Sequence, residues 1–195
     1  MRYNSIDDQN KTFISILKQN KDLMSILDYI ADLNLSNFYI AAGVVFQSIW
    51  NYYDNRPFNY RVKDIDIIFY DSSNISKDFD QELENKITNY FKNLNYVFDV
   101  HNEARMHLWA KEKENKDIEQ YKNSEDAIDH WIVTVHAVGI TKKDNEIKVY
   151  APYGLSDIFS RTIRPIKHEN SSKELYEMKA ASFKIRFANL TIIKW

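Results

Sequence analysis

Apolar residues recur at three- and four-residue steps through the first 35 positions: Phe13, Ile16 and Leu17, then Leu23, Ile26, Leu27, Ile30 and Leu33. That spacing predicts helix, and "QNKD" (19–22) divides it into a shorter and a longer one. "NFYIAAG" (37–43) reads as a short apolar strand stopping at glycine, and "VVFQSIWNYYDN" (44–55) returns to helical spacing. A loop holding Arg56 and Pro57 leads to a strand from about 64 to 70. "DSSNISKD" (71–78) has turn and capping chemistry. The stripe Phe79, Leu83, Ile87, Tyr90, Phe91 and Leu94 then predicts helix over 79–94, and "YVFDVH" (96–101) another strand.

Beyond residue 102 the pattern weakens. Residues 103–122 begin as a helical turn and continue as a charged run, which reads as a solvated loop. Ser124 is placed to cap a helix through 125–131. "VTVHAVGI" and "EIKVYAP" flank "TKKDN" as a hairpin. A short helix at "GLSDIFS", a loop at "RTIRPIKHENSS" and a final helix over 173–187 complete the chain. The 195 residues suit one α/β or α+β domain, with N-terminal helices over 1–35 and a C-terminal helix and tail over 171–195.

Composition narrows the functional classes. A 44% hydrophobic share is ample for a packed core and argues against a disordered chain. A formal charge of −2 provides no global attraction for nucleic acid. Cysteine is absent, which excludes disulfides, thiolate metal sites and a cysteine nucleophile. No apolar run approaches the roughly 18 residues that a membrane span needs, and no signal peptide opens the chain. A soluble cytoplasmic protein, with no membrane partner, is the expectation.

The candidate chemistry lies in "RVKDIDIIFYDSSN" (61–74). Alternation along a strand puts Asp64, Asp66, Ile68 and Tyr70 on one face and Ile65, Ile67, Phe69 and Asp71 on the other. Beyond Asp66 both faces are apolar, the mark of a strand covered on both sides. Carboxylates two residues apart on one face repel unless a cation sits between them, and Mg²⁺ takes one or two carboxylates with water and substrate phosphates. The plainer alternative has the same pair forming a turn or pairing with Lys63 and Arg61. Asp71, at the far end on the other face, reads as turn or cap.

Two surrounding features favour the cation. Gly43 stands where a strand enters a helix, and the free N–H groups of a helix start attract phosphate; the same glycine also suits a tight turn. Asp99 lies inside the apolar "VFDVH", where a buried acid needs a partner; Arg105 is one candidate, and a cation shared with Asp64 and Asp66 is another.

Strand–Gly–helix, then D-x-D, then a lone acid between apolar residues resembles the nucleotidyltransferase superfamily related to DNA polymerase β. "YIAAGVVFQSIWNY", "VKDIDIIFYD", "HNEARMHLW", "SEDAIDHW", "VYAPYGLSDIF" and "NLTIIKW" together resemble one bacterial nucleotidyltransferase family within it, formerly a domain of unknown function. The resemblance implies a mixed sheet flanked by helices and transfer of a nucleoside monophosphate from an NTP, with Mg²⁺ or Mn²⁺, to an unidentified hydroxyl on a small molecule, a protein or an RNA end. It assigns Asp64, Asp66 and Asp99 to metal binding and catalysis, and Gly43 to the phosphate side. Ala42 stands at the small-residue position before Gly43, and the usual Gly-Ser or Gly-Gly pair is absent. Further candidates for nucleotide contact are Ser48, Asn102, Arg105, His107 and Tyr153, with Trp109 and Trp131 as possible stacking partners for a base. A catalytically inactive nucleotide-binding or protein-interaction module on the same fold is the alternative, and a phosphohydrolase ranks behind both.

Overall fold

The computed structural model describes residues 6–195. Two helices open it, α1 (Ile6–Leu17) and α2 (Lys21–Asp32), separated as the break at 19–22 predicts. The part of the expected 1–35 helical region before residue 6 lies outside the described residues. Asn20 caps α2, its side chain accepting from Leu23 N–H at 3.2 Å.

A five-stranded mixed sheet forms the centre, in the order β3-β2-β1-β4-β5. Its strands are β1 (Tyr39–Ala41), β2 (Ile65–Phe69), β3 (Phe98–Asn102), β4 (Gly139–Lys143) and β5 (Glu146–Tyr150). β1 runs antiparallel to both neighbours, while β2 and β3 are parallel and joined through helix α4 (Lys77–Tyr90). Helix α3 (Gly43–Tyr53) connects β1 to β2.

Each sheet face has its own apolar cluster. Ile40, Ile65, Ile67, Phe69, Phe98 and Val100 pack into the large core with α1, α2 and α3. Tyr39, Ala41 and Ile68 join Ile128, Ala137 and Ile166 in a smaller cluster on the opposite face. That second face is the one that carries Asp66, so the site sits where the sheet has its thinner cover.

Four expectations for the later part of the chain need correction. Residues 103–114 are helical, as a 3-10 turn at Glu103–Arg105 followed by α5 (Met106–Glu114). Ala110 is the one buried residue of α5, so the helix has no apolar stripe to read. It ends at Asn115, whose left-handed φ of 52° suits asparagine. The cap of α6 (Ser124–Asp129) is Asn123, which accepts from Asp126 N–H at 2.7 Å; Ser124 Oγ instead donates to Asn37 O at 2.6 Å. The hairpin forms with Asp144 and Asn145 at its turn, both at positive φ as a two-residue turn requires, but β4 begins only at Gly139. The region expected as a loop after residue 160 contains β6 (Thr162–Ile163), which follows α7 (Ser156–Ser160) and pairs in parallel with β7 (Thr191–Ile192).

Helix α8 (Lys173–Arg186) completes the architecture. Phe183 anchors it edge-on against Phe46 and Trp50 of α3. Tyr176 Oη donates to Ile163 O at 3.0 Å and also reaches Ile193 O. Arg61, in the loop before β2, donates to Ile185 O and Arg186 O at 2.8 Å each, occupying carbonyls that the helix end leaves open. These contacts fix α8 against the start of the acidic strand.

Candidate functional site

A cavity of about 600 Å³ opens between the second sheet face and α8. Asp64 and Asp66 lie on its sheet side. Register brings the third acid beside them: Asp66 stands opposite Asp99 on β3 and opposite Ala41 on β1. Burial, followed by the carboxylates of Asp64 and Asp99, pushes the Asp66 carboxyl up to about 7. His101 and Lys179 oppose the rise without cancelling it.

Asp99 does not line the cavity. Its Oδ1 accepts from His101 Nε2 at 2.8 Å, and that hydrogen bond holds its carboxyl below the usual range. Burial draws the His101 imidazole down, but the Asp99 hydrogen bond and the carboxylates of Asp99, Glu103 and Asp66 outweigh it, and its pKa rises. His101 and Glu103 both line the cavity. Glu103 is buried, and burial drives its carboxyl up to about 8, with His101 opposing and Asp66 and Asp80 reinforcing the rise.

The opposite wall is cationic. Lys179, Ser182 and Arg186 face the cavity from α8, and Lys63 joins them from the loop before β2. Burial lowers the Lys179 ammonium, while Asp66 and Asp64 pull it back up; Arg186 is likewise lowered by burial and supported by Asp64. Between the walls lies His136, held against Phe46 at 5.4 Å and Phe183 at 5.2 Å between ring centres. Burial, with Lys179 and Arg186 alongside, holds it well below the ordinary histidine range, so it is neutral. Tyr121, His130 and Trp131 add an aromatic margin.

Gly43 also lines the cavity, at the first position of α3. A Cβ there would meet Gln47 Nε2 at 3.1 Å and Asp64 Oδ1 at 3.9 Å, so glycine preserves room beside the acid. The turn's unusual backbone falls one residue earlier than the sequence suggests. Ala42 has φ 53° and ψ −122°, a combination that side chains disfavour and glycine tolerates.

Three of the other sequence candidates, Ser48, Asn102 and Arg105, bond within the scaffold. Ser48 is fully buried, its Oγ donating to Val44 O at 2.7 Å and accepting from Asn20 Nδ2 at 3.0 Å, which ties α3 to α2. Asn102 Nδ2 donates to Asp71 O and Asn74 O at 2.8 Å each, and its Oδ1 accepts from the N–H groups of Asp71 and Ala104. Arg105 is buried, donating through Nε to Ile75 O at 3.3 Å with Nη1 3.7 Å from Asp80 Oδ2. It therefore pairs with Asp80 rather than Asp99. Tyr153 is exposed and donates to Asp129 O at 2.8 Å, and neither it nor His107 lines the cavity. Asp71 accepts from Ser73 N–H at 2.9 Å and Ser73 Oγ at 2.6 Å, as turn chemistry requires. Of the stacking candidates, Trp131 reaches the cavity and Trp109 does not.

Sequence reasoning passed over Lys179, Ser182 and Arg186. Their spacing of three and then four residues puts them on one helix face, and that spacing is the signal that would have found them.

A family model described as nucleotidyltransferase matches residues 28–192. The chain belongs to the nucleotidyltransferase family. The match spans both cavity walls, from before β1 to β7. The chain is also similar to a protein whose NMR structure reveals a CCA-adding enzyme head domain, with 27% identity, 95% of this chain and 96% of that chain covered, and a TM-score of 0.80. No curated protein matches the sequence. Family and fold together support a nucleotidyl-transferring enzyme that uses an NTP.

Such a family implies a divalent cation. Among the described residues, no three His, Asp or Glu side chains are gathered as a ready-made metal cluster. The donors nevertheless suit an ion shared with substrate: two aspartates two residues apart, one with its carboxyl raised by burial and then by the neighbouring carboxylates. Mg²⁺ is commonly held in this way, by one or two carboxylates with phosphate oxygens and water filling the other positions.

Proposed function

We propose that the chain transfers a nucleoside monophosphate from an NTP to a hydroxyl acceptor, with Mg²⁺ or Mn²⁺ held by Asp64 and Asp66. The observation that supports it most is the position of Asp66. It faces Asp99 across β2 and β3, follows Asp64 by two residues, and lies in a cavity whose other wall is cationic.

A bound cation would neutralise the phosphate charge that builds as pyrophosphate departs. The chain's residues supply placement. Asp64 and Asp66 would hold the cation at the sheet end of the cavity, where it would draw in the nucleotide's phosphates, and the space beside Gly43 admits the phosphate chain. The acceptor oxygen forms a bond to the α phosphorus, and the bond from that phosphorus to the β-phosphate bridging oxygen breaks. The acceptor's proton passes to water in the cavity, while Asp99, behind the cavity wall, orients the His101 imidazole on that wall. No covalent enzyme intermediate is needed, because positioning and charge neutralisation carry the step.

The acceptor is a small molecule, a protein hydroxyl or an RNA end. Likeness to a CCA-adding enzyme head domain makes an RNA 3′ end the first to try. Incubation of the protein with labelled NTPs, Mg²⁺ or Mn²⁺ and a cell extract tests the proposal. Label transfer that needs the metal and both aspartates is expected.

One observation favours a second reading, a nucleotide-binding module without turnover: the Asp99 carboxylate is already engaged by His101. That reading predicts calorimetric nucleotide binding with no pyrophosphate released for any acceptor.

A further inference from the structure

The cavity has two walls of opposite sign, and the proposed reaction uses only the acidic one. Lys179 and Arg186 are seven residues apart on α8, which brings them within about 20° of each other around the helix and about 10 Å apart along it. Ser182 faces the cavity between them, and Lys63 approaches from the sheet side. Arg61 pins the last turn of α8 through Ile185 O and Arg186 O, which ties that turn to the loop before β2. Neither Lys179 nor Arg186 makes an ion pair with an acid within 4.0 Å among the described residues, although Asp64 and Asp66 act on Lys179 through space and Asp64 acts on Arg186.

The start of α3 is, by contrast, a sparse anion site. Ala42 N–H donates to Val138 O at 2.9 Å, while the N–H groups of Val45 and Phe46 both donate to Ala42 O at 3.2 Å. No hydroxyl residue follows Gly43 directly. Two or three linked phosphates need more donors than this turn provides, and the donors stand across the cavity.

We infer that the inner face of α8 is a polyphosphate subsite, in which Lys179 and Arg186 grip the β and γ phosphates that leave as pyrophosphate. Arginine offers a planar fork to two phosphate oxygens and lysine a compact charge that adapts to a third. His136 lines the cavity beside them, its ring packed against Phe46 and Phe183. A metal at the acids and a polyphosphate at α8 complement the two walls together.

The nature of the anion rests on the nucleotidyl-transfer reading; the presence of an anion site does not. The test is calorimetric titration of the full chain with inorganic tripolyphosphate in Mg²⁺ buffer. Lys179→Gln and Arg186→Gln are each expected to weaken binding about tenfold or more, and Lys179→Arg to keep most of it. Lys184→Gln, exposed on another face of the same helix, should bind as wild type does. Thermal melts of each variant separate lost binding from lost folding. Wild-type affinity in folded Lys179→Gln and Arg186→Gln would overturn the subsite, and so would an equal loss in Lys184→Gln. If tripolyphosphate binds through α8 but no labelled nucleotide is transferred, the reaction fails and the subsite stands. If transfer proceeds undiminished in both α8 variants, the subsite fails and the reaction stands.

Discussion

The acidic and cationic walls of the cavity are held in place by different forces. Asp66 and Asp99 are set by strand register, on β2 and β3 of a five-stranded sheet. Their separation follows from backbone hydrogen bonding and changes little with side-chain repacking. Lys179 and Arg186 are set by side-chain contacts of α8: Phe183 packed against α3, and hydrogen bonds from Tyr176 to Ile163 O and from Arg61 to the last carbonyls. One wall is thus tied to backbone pairing and the other to a few side-chain contacts, so the two should respond to different substitutions.

If the Phe183 ring carries the largest share of that hold, Phe183→Ala should damage the cationic wall most. Removal of a fully buried aromatic costs about 3–5 kcal/mol, and here it also strips His136 and Phe46 of a neighbour. A chemical melt should show that loss, with tripolyphosphate binding weakened in the fraction that folds. An unchanged midpoint would mean that α8 is held by something other than this ring.

The acidic wall should respond to pH instead. Glu103 has a folded-state value of about 8 against an ordinary 4.5. Its folded pKa is raised, so the stability it contributes is present below about pH 4.5 and is lost as pH rises through 8. Asp66, raised to about 7, acts in the same direction. Without metal, stability should fall between pH 5 and 8 by an amount on the order of a few kcal/mol. Glu103→Gln should flatten that fall, leaving the share due to Asp66. An equally steep fall in the variant would show that Glu103 ionises freely.

The acidic wall was legible in the sequence because strands alternate: the alternation that put Ile65 and Ile67 inward left Asp64 and Asp66 on the other face. Parallel pairing of β2 with β3 then carried Asp99 to its place. The cationic wall left a fainter trace. α8 is rich in charged residues, and which of Lys173, Lys179, Lys184 and Arg186 face inward depends on how the helix docks. Ser48, Asn102 and Arg105 misled for a related reason. Polar residues near a site resemble ligand contacts, but these three satisfy the scaffold's own buried groups. β6 and β7 are two residues each and pair across 27 intervening residues, too short for any periodicity to register.

The junction between the walls gives the smallest effect. Ala42 holds a backbone conformation suited to glycine, so Ala42→Gly should relieve strain and stabilise the fold by about 1 kcal/mol. That corresponds to a melting temperature raised by about 2–4 °C. A lower melting temperature would show that the neighbouring contacts already absorb the strain.

The central claim is that Asp64 and Asp66 hold a cation for nucleotidyl transfer, and metal-dependent release of labelled pyrophosphate from an NTP tests it most directly. Wild-type protein should release label only with Mg²⁺ or Mn²⁺ and an acceptor. Asp66→Asn, which keeps the shape and removes the buried charge, should lower the rate at least about 100-fold while melting no lower than wild type at pH 8. Release at the wild-type rate by folded Asp66→Asn or Asp64→Asn would contradict the account.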